Sequence, residues 1–206
     1  IRGLGYNRVV VMNDGIRQEG QQWGSEHGIE IDEFSVNRIE ILKGPSSLVY
    51  GSDAMAGVIN MISFPTLPEG TIQGNALATY QSNNGQMGLS GNFSGNTKGF
   101  IYDLRYSKKQ AHAYHNQYDG YVFGSGFKEN TFSGILGLNR SWGYSHLHFS
   151  AYHLTPGIVE GERDSLTGKF VEPLVLNDTV AVNTIVGDNE MKSYSIGVPY
   201  QDVQHY

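Results

Sequence analysis

The chain has 206 residues, 27 of them glycine and 13 tyrosine, no cysteine, and a formal net charge of -6. Without thiols there is neither a disulfide framework nor a thiolate metal centre, and the acidic balance argues against a nucleic-acid partner, which would require a basic face. No run of about twenty apolar residues exists to form a membrane-spanning helix, but a spanning barrel, made of short alternating strands, is not excluded.

In chain order, "RVVVMNDGIRQ" predicts a buried strand, a turn at Asn13, Asp14 and Gly15, and a second short strand. A polar stretch, "QEGQQWGSEHG", follows. "FSVNRIEILKG" predicts a further strand, with Ile39 and Ile41 on one face and Arg38 and Glu40 on the other. Next comes "KGPSSLVYGSDAMAG", poor in reactive groups and rich in small ones. Gly44 ends the strand, and Pro45 suits the first position of a short helix, where its missing N–H costs nothing. Ser46 and Ser47 can satisfy loose amides of that turn, and Gly51 stops it. Ser52 is placed to cap a second turn over Asp53, Ala54 and Met55, and Gly57 then releases the chain into the strand "VINMIS".

Chemistry is not expected in this stretch. Its serines have no histidine near them in sequence, and Lys43 precedes the Gly-Pro where a phosphate loop needs its lysine to follow the glycines. Asp14, Glu26, Asp32 and Glu33 show no spacing that assigns acid and base roles. The chain is expected not to be an enzyme and to hold no cofactor.

"PTLPEG" marks a linker, dividing the chain into residues 1–64, 65–70 and 71–206. Beyond it the texture changes to dyad alternation. Phe100, Tyr102, Leu104 and Tyr106 oppose Asp103, Arg105 and Ser107; Met87, Leu89 and Phe93 oppose Ser90 and Asn92; Leu147, Phe149 and Ala151 oppose His146, His148 and Ser150. With Ala76, Ala78 and Tyr80, and with Phe132, Leu136 and Leu138, this makes five segments of about ten residues, the length of a tilted transmembrane strand. A soluble β-sandwich gives the same period, so a soluble adhesin or carbohydrate-binding module stays open. Connection lengths favour the barrel. "NTKG" and "WG" fall on one rim; "NNG" and the long connections 108–130 and 154–206 fall on the other. Tyr80, Tyr106, Trp142, Tyr144 and Tyr152 stand near strand ends, where interfacial girdles form. "VEGERDSLTGKFVEP" reads as a solvated loop.

"IRGLGYNRVVVMNDGIR" followed by "VNRIEILKGPSSLVYGSDAMAGVINMIS" closely resembles the plug domain of TonB-dependent outer-membrane receptors, over about the first 64 residues. The family pattern runs roughly V-E-R-I-E-V-L-K-G-P-x-x-x-x-Y-G-x-x-A-x-G-G-V-I-N-I-I-T; this chain departs from it at Asn37, usually Glu, and Ala56, usually Gly. "SSLVYGSDAMAG" looks like the siderophore and vitamin branch more than the glycan-importing branch.

The resemblance implies a mainly β fold with short helices: the later half of an α/β plug, then antiparallel strands of an incomplete transmembrane barrel of about 22 strands in the intact parent. Gly44, Pro45, Tyr50, Gly51, Gly57 and Asn60 would be plug-structural residues, and Arg38 and Glu40 would bond either to the lumen wall or to partners within the plug. The chain is expected to be a piece of something longer, with the TonB-binding box N-terminal to it. The function implied is noncovalent binding of a scarce nutrient complex, a ferric siderophore or haem foremost and cobalamin or a bare metal ion as alternatives. Import would be driven by the TonB complex, in contact with outer-membrane lipid. Candidate ligand contacts are Gln21, Trp23, Glu26 and His27 at the plug apex, and His112, Tyr114, His115, Tyr118 and Tyr121 in the first long loop, where aromatic and imidazole groups suit an aromatic or metal-bearing ligand. His112 and His115 could chelate a metal directly if the loop turns there.

Overall fold

A computed structural model describes residues 8–18, 29–159, 161–176, 180–197 and 199–206. The chain divides into two compact units, one made of Ile1–Ile72, Gly95–Asp103 and Gly137–Ser145 and the other of Gln73–Ser94, Leu104–Leu136 and His146–Tyr206.

The first unit holds a four-stranded sheet. Its strands are β1 (Val9–Asn13), β2 (Ile16–Arg17), β3 (Val36–Leu42) and β4 (Gly57–Ser63), in the order β2-β1-β4-β3. β1 runs parallel to β4, with Val10 opposite Val58 and Met12 opposite Asn60. A continuous apolar run is what a strand covered on both faces requires, and Val10, Met12, Ala54 and Val58 form the core, with Leu42 packed against it. The predicted turn is present, with Asp14 and Gly15 at φ of 49° and 83°, the left-handed pair that a two-residue hairpin needs. Asn60 secures this turn by accepting the Gly15 N–H at 3.1 Å. The Asp14 carboxylate accepts from the Ser63 amide at 2.9 Å and its hydroxyl at 2.7 Å.

Pro45–Tyr50 and Ser52–Met55 are two 3-10 turns, as the small-residue stretch predicts. Gly44 and Gly51, at φ of 81° and 99°, supply the breaks that L side chains rarely adopt. Two details differ from expectation. Gly51, not Ser52, is the N-cap, and no side chain caps this turn. Ser47 does not receive amide N–H groups either: its hydroxyl lies 2.8 Å from both the Gly44 and Ala54 carbonyl oxygens, so it ties the first turn to the second. Ser47 is buried, and Ser47→Ala would remove that donor from two carbonyls at a cost of about 1–3 kcal/mol. Faster amide exchange across residues 44–56, with the rest of the protein unchanged, is the expected readout. Arg38 and Glu40 pair with each other at 2.9 Å on an exposed face, and Arg17 pairs with Asp53 at 2.6 Å.

The remaining large element is an antiparallel sheet of β5 (Ile72–Gln81), β6 (Gln86–Thr97), β7 (Phe100–Ala111), β10 (Phe127–Arg140) and β11 (Gly143–Pro156), joined by a short strand, β14 (Val203–His205), in the order β14-β11-β10-β7-β6-β5. The sheet thus has six strands, one more than the alternation predicts. β14 escapes a periodicity search because it is three residues long and pairs only with Tyr152–Leu154.

On β6 the burial is inverted relative to a water-soluble protein. Met87, Leu89 and Phe93 are 40%, 62% and 52% exposed, while Ser90, Asn92 and Ser94 are 6%, 8% and 7% exposed. Phe100, Leu104, Tyr106, Phe132, Leu136, Leu138 and Leu147 are likewise exposed. A sandwich buries its apolar face, whereas a barrel in lipid turns it outward and keeps polar groups inside. The soluble adhesin and carbohydrate-module alternatives are therefore set aside. Ser107 donates to or accepts from Ser90 at 2.9 Å, and Asn92 donates to the Leu104 carbonyl at 3.3 Å, so the inner face is laced by hydrogen bonds. Tyr152 departs from its expected place in an aromatic girdle. It is 6% exposed and points inward, sharing the parity of His148 and Ser150, with its hydroxyl 3.2 Å from Glu129 Oε2.

The rim asymmetry is also present. The two tight turns meet, with the Asn139 N–H donating to the Gly99 carbonyl at 2.7 Å and Arg140 Nη1 donating to the Lys98 carbonyl. At the opposite rim the His112 N–H donates to the Asn84 carbonyl at 3.1 Å. The long connections are shorter than expected, because β7 reaches Ala111, β10 begins at Phe127 and β11 reaches Pro156.

Candidate functional site

The two long connections carry structure of their own. Residues 112–126 hold a small hairpin, β8 (His115–Asn116) with β9 (Gly120–Tyr121). Residues 157–202 hold a second, β12 (Val171–Leu176) with β13 (Val180–Ile185), then a helical turn, α1 (Asp188–Met191). The stretch expected to be a solvated loop thus becomes strand from Val171 on.

Local chemistry explains the first hairpin. Asn116 Oδ1 accepts the N–H groups of Tyr118 and Asp119 at 2.9 and 2.7 Å, an Asx turn that reverses the chain. The Asn83 side chain then staples β8 to the 82–85 turn, donating to the His115 carbonyl at 2.9 Å and accepting its N–H at 3.1 Å.

His112, His115 and Tyr121 come together. The His115 and Tyr121 rings meet edge to face with centroids 5.0 Å apart, and the His112 ring stands 6.0 Å from Tyr121 and 5.6 Å from Tyr194. Lys192 Nζ lies 5.0 Å above the Tyr121 ring, a cation–π contact. His112 Nδ1 is 2.8 Å from the Ala113 carbonyl oxygen, which can only accept, so Nδ1 carries the proton in this bond. Chelation by Nδ1 would require that bond to break. Among the described residues, neither His112 nor His115 belongs to a group of three His, Asp or Glu with ligand atoms within 4.8 Å of one another. Tyr114 is exposed, and Tyr118, at the tip of the turn, is 90% exposed. Gln21, Trp23, Glu26 and His27 lie outside the described residues.

Under these rings Ala113, Val186 and Met191 form a small buried core, with Tyr121 and Phe123 packed on it. Backbone bonds cross between the loops: the Ala113 N–H donates to the Met191 carbonyl at 3.1 Å, and the Gly157 N–H to the Gly126 carbonyl at 2.9 Å. The Tyr194 hydroxyl donates to the Gly85 carbonyl at 2.6 Å. Gly85 has φ of +56°, and a Cβ there would lie 2.4 Å from His112 Nε2, so only glycine lets this turn approach the ring. The sequence carries little signal for Tyr194 or Lys192, some eighty residues from Tyr114 in sequence.

An ion pair joins the first hairpin to the stretch before β12, Arg163 Nη2 to Asp119 Oδ1 at 2.8 Å, with the guanidinium also 4.0 Å over the Phe170 ring. Hydrogen bonding from Asn116 is the main cause that holds the Asp119 carboxyl below its ordinary value; burial, next in size, opposes it, and the charge and hydrogen bond of Arg163 add to the lowering. A lowered folded-state pKa contributes stability above the unfolded value and loses it as pH falls through the folded one. The clasp is therefore intact at neutral pH and opens only at acid pH below the ordinary carboxylate range. Because the pair is solvent-exposed, Arg163→Ala should leave global stability nearly unchanged and accelerate amide exchange at residues 116–121 and 163–170. Unchanged exchange would show that the clasp does not order the loops.

Residues 1–58 match the family profile described as the TonB-dependent receptor plug domain. The iron-regulated outer membrane virulence protein of Vibrio cholerae is 41% identical over 70 residues, 31% of this chain and 11% of that protein. The hemin receptor of Yersinia enterocolitica is 45% identical over 60 residues, 29% of this chain and 9% of that one. The vitamin B12 transporter BtuB of Vibrio vulnificus is 41% identical over 63 residues, 31% and 10% of the two chains. In fold, the siderophore receptor PirA of Acinetobacter baumannii superposes with a TM-score of 0.61 at 20% identity, over 77% of this chain and 26% of that one. The ferric enterobactin receptor PfeA of Pseudomonas aeruginosa gives 0.56 at 18% identity, over 75% and 26%. The chain spans about a tenth of the length of these curated relatives and about a quarter of the solved chains. Residues 1–58 thus match the TonB-dependent receptor plug domain in sequence, and the strands that follow, with their apolar face turned outward, share the fold of the outer-membrane siderophore receptors.

Proposed function

We propose that the chain is the part of an outer-membrane receptor that binds an iron-bearing chelate, a ferric siderophore or haem, and imports it with energy supplied through TonB. The match of residues 1–58 to the plug profile carries this reading. Support for an iron cargo comes from relatives named as a hemin receptor and an iron-regulated outer membrane protein. Binding is noncovalent, no resident cofactor takes part, and any iron arrives as cargo. The surface around His112, His115 and Tyr121, with exposed Tyr114 and Tyr118, contributes aromatic and imidazole contacts to the chelate; Gln21, Trp23, Glu26 and His27, outside the described residues, are a separate candidate set of contacts. A relative named as a vitamin B12 transporter favours cobalamin as a second reading.

Deletion of the gene, followed by growth on single iron sources, tests the proposal. The expected result is loss of growth on one ferric siderophore or on haem, with growth on soluble ferrous iron intact. Undiminished growth on every chelate would overturn the iron reading, and loss of cobalamin-dependent growth alone would transfer it to the second.

A further inference from the structure

The outward face of the large sheet carries few charges. β5 and β6 contain no Asp, Glu, Lys or Arg. On β7 and β10, Asp103, Arg105, Lys109 and Glu129 share the inward parity, where Arg105 lies 3.3 Å from the Ser90 hydroxyl and Lys109 pairs with Glu129. Arg140 stands at the tight-turn rim and donates to the Lys98 carbonyl. On β11, His153 pairs with Asp202 at 2.5 Å. Lys108 and Lys128 remain. Both are exposed, both have outward parity, and both lie close to the long-loop rim, where β7 ends at Ala111 and β10 begins at Phe127. Among the described residues neither has an acidic partner.

Strand geometry brings these two lysines together. Lys109 meets Glu129 across β7 and β10, and alternation turns the preceding residue of each strand to the opposite face. Because the strands are antiparallel, Lys108 and Lys128 fall on either side of that rung, a diagonal with Cβ atoms about 7–8 Å apart. Two flexible lysine stems can converge over such a distance. Asn130, the next outward residue of β10, accepts the Tyr106 hydroxyl through Oδ1 at 3.3 Å, which leaves its Nδ2 to donate beside the lysines. Toward the middle of the sheet the same face is apolar, with Leu104, Tyr106 and Phe132 exposed. Lysines at the edge of such a face lay their stems along it and lift the ammonium groups to headgroup level, and their charge calls for a counter-charge there.

We propose that Lys108 and Lys128, with Asn130, clamp the phosphate headgroup of an anionic lipid in the leaflet at the long-loop rim, its acyl chains lying along Leu104, Tyr106 and Phe132. Charge complementarity selects the phosphate. The apolar strip that continues from it selects a lipid over a soluble anion. A lysine near an anionic membrane surface strengthens association about fivefold, so the pair gives a preference of about tenfold or more for an anionic over a zwitterionic lipid. The clamp rests on this face standing in lipid and is independent of what the receptor imports.

The test titrates the full-length receptor, in detergent micelles, with dioleoyl phosphatidate and with dioleoyl phosphatidylcholine, and reads the lipid-bound species by native mass spectrometry. Phosphatidate is expected to bind about tenfold more tightly. Lys108→Gln with Lys128→Gln should abolish the preference, and Lys108→Arg with Lys128→Arg should keep it. Lys98→Gln with Lys169→Gln removes the same charge from two exposed positions elsewhere and should leave the preference intact. Millimolar inorganic phosphate should not displace the lipid. Equal affinity of the unaltered receptor for the two lipids overturns the proposal, as does a preference that survives the loss of Lys108 and Lys128 or that disappears with Lys98 and Lys169. Displacement by inorganic phosphate overturns it too, by showing a site for a soluble anion. Chelate binding, expected to be unchanged in every variant, separates these outcomes from a failure of the import reading.

Discussion

Leu89→Arg is expected to destabilise the receptor in its membrane by about 1–3 kcal/mol, the cost of a cation on the lipid face between the interface and the midplane. Leu89 is 62% exposed on β6, between Met87 and Phe93, which face the same way. In a soluble sheet an exposed leucine exchanged for arginine would change stability by a few tenths of a kcal/mol, so the size of the effect separates the two environments. Refolding into lipid vesicles across a urea series reads it directly, and Ser90→Ala supplies the control from the inner face. A cost below about 0.5 kcal/mol for Leu89→Arg would place this face in water.

The second large effect concerns the inner face. Lys109 on β7 and Glu129 on β10 form an ion pair at 2.7 Å, with side chains only 3% and 10% exposed, and the Tyr152 hydroxyl on β11 reaches the other Glu129 oxygen. Three neighbouring strands are thereby joined just below the loop assembly. Lys109→Ala withdraws the Lys109 cation from the buried Glu129 charge, for which about 3–5 kcal/mol of destabilisation is expected. Replacing both members by apolar residues of similar volume, Lys109→Met with Glu129→Leu, should recover most of this loss, because the pair's mutual attraction largely offsets the cost of burying it. A double variant no better than Lys109→Ala would show that the interaction contributes net stability beyond charge compensation. Protection of amides in residues 112–126 should fall with the single variant, since that connection springs from the ends of β7 and β10.

Much of this architecture is legible in the residues. The Asp14-Gly15 turn, the Pro45 and Ser52 turns between Gly44 and Gly57, and the five long strands follow from local chemistry and a strict period of two. The direction of the pattern does not follow, since alternation is identical in a sandwich and a barrel; connection lengths lean to the barrel, and the exposure of apolar residues such as Met87, Leu89 and Phe93 decides it. Ser47 illustrates a second limit. Its hydroxyl can donate or accept, and which it does depends on the Ala54 carbonyl, brought close only by the following turn. For Tyr152, position near a strand end suggests the girdle, although its parity with His148 and Ser150 places it inside.

In the candidate site, the proximity of His112 and His115 to Tyr121 follows from the tight reversal at Asn116. Tyr194 and Lys192 join them through long-range contacts that no local pattern encodes. β12 and β13 are hidden by acidic neighbours and by Pro173, which reads as a break but is compatible with a strand in a two-stranded ribbon, where one edge is free.

The account rests on the wall facing lipid with one side and a closed, polar interior with the other. Nitroxide labels placed singly at residues 86 to 94 of the full-length receptor, in outer-membrane vesicles, test it most directly through their collision rates with oxygen and with a water-soluble nickel chelate. Oxygen accessibility is predicted to peak at Met87, Leu89 and Phe93 and to fall at Ser90, Asn92 and Ser94, with the nickel chelate excluded from the first set. High nickel accessibility at Leu89 and Phe93, or a profile without the two-residue period, would contradict it.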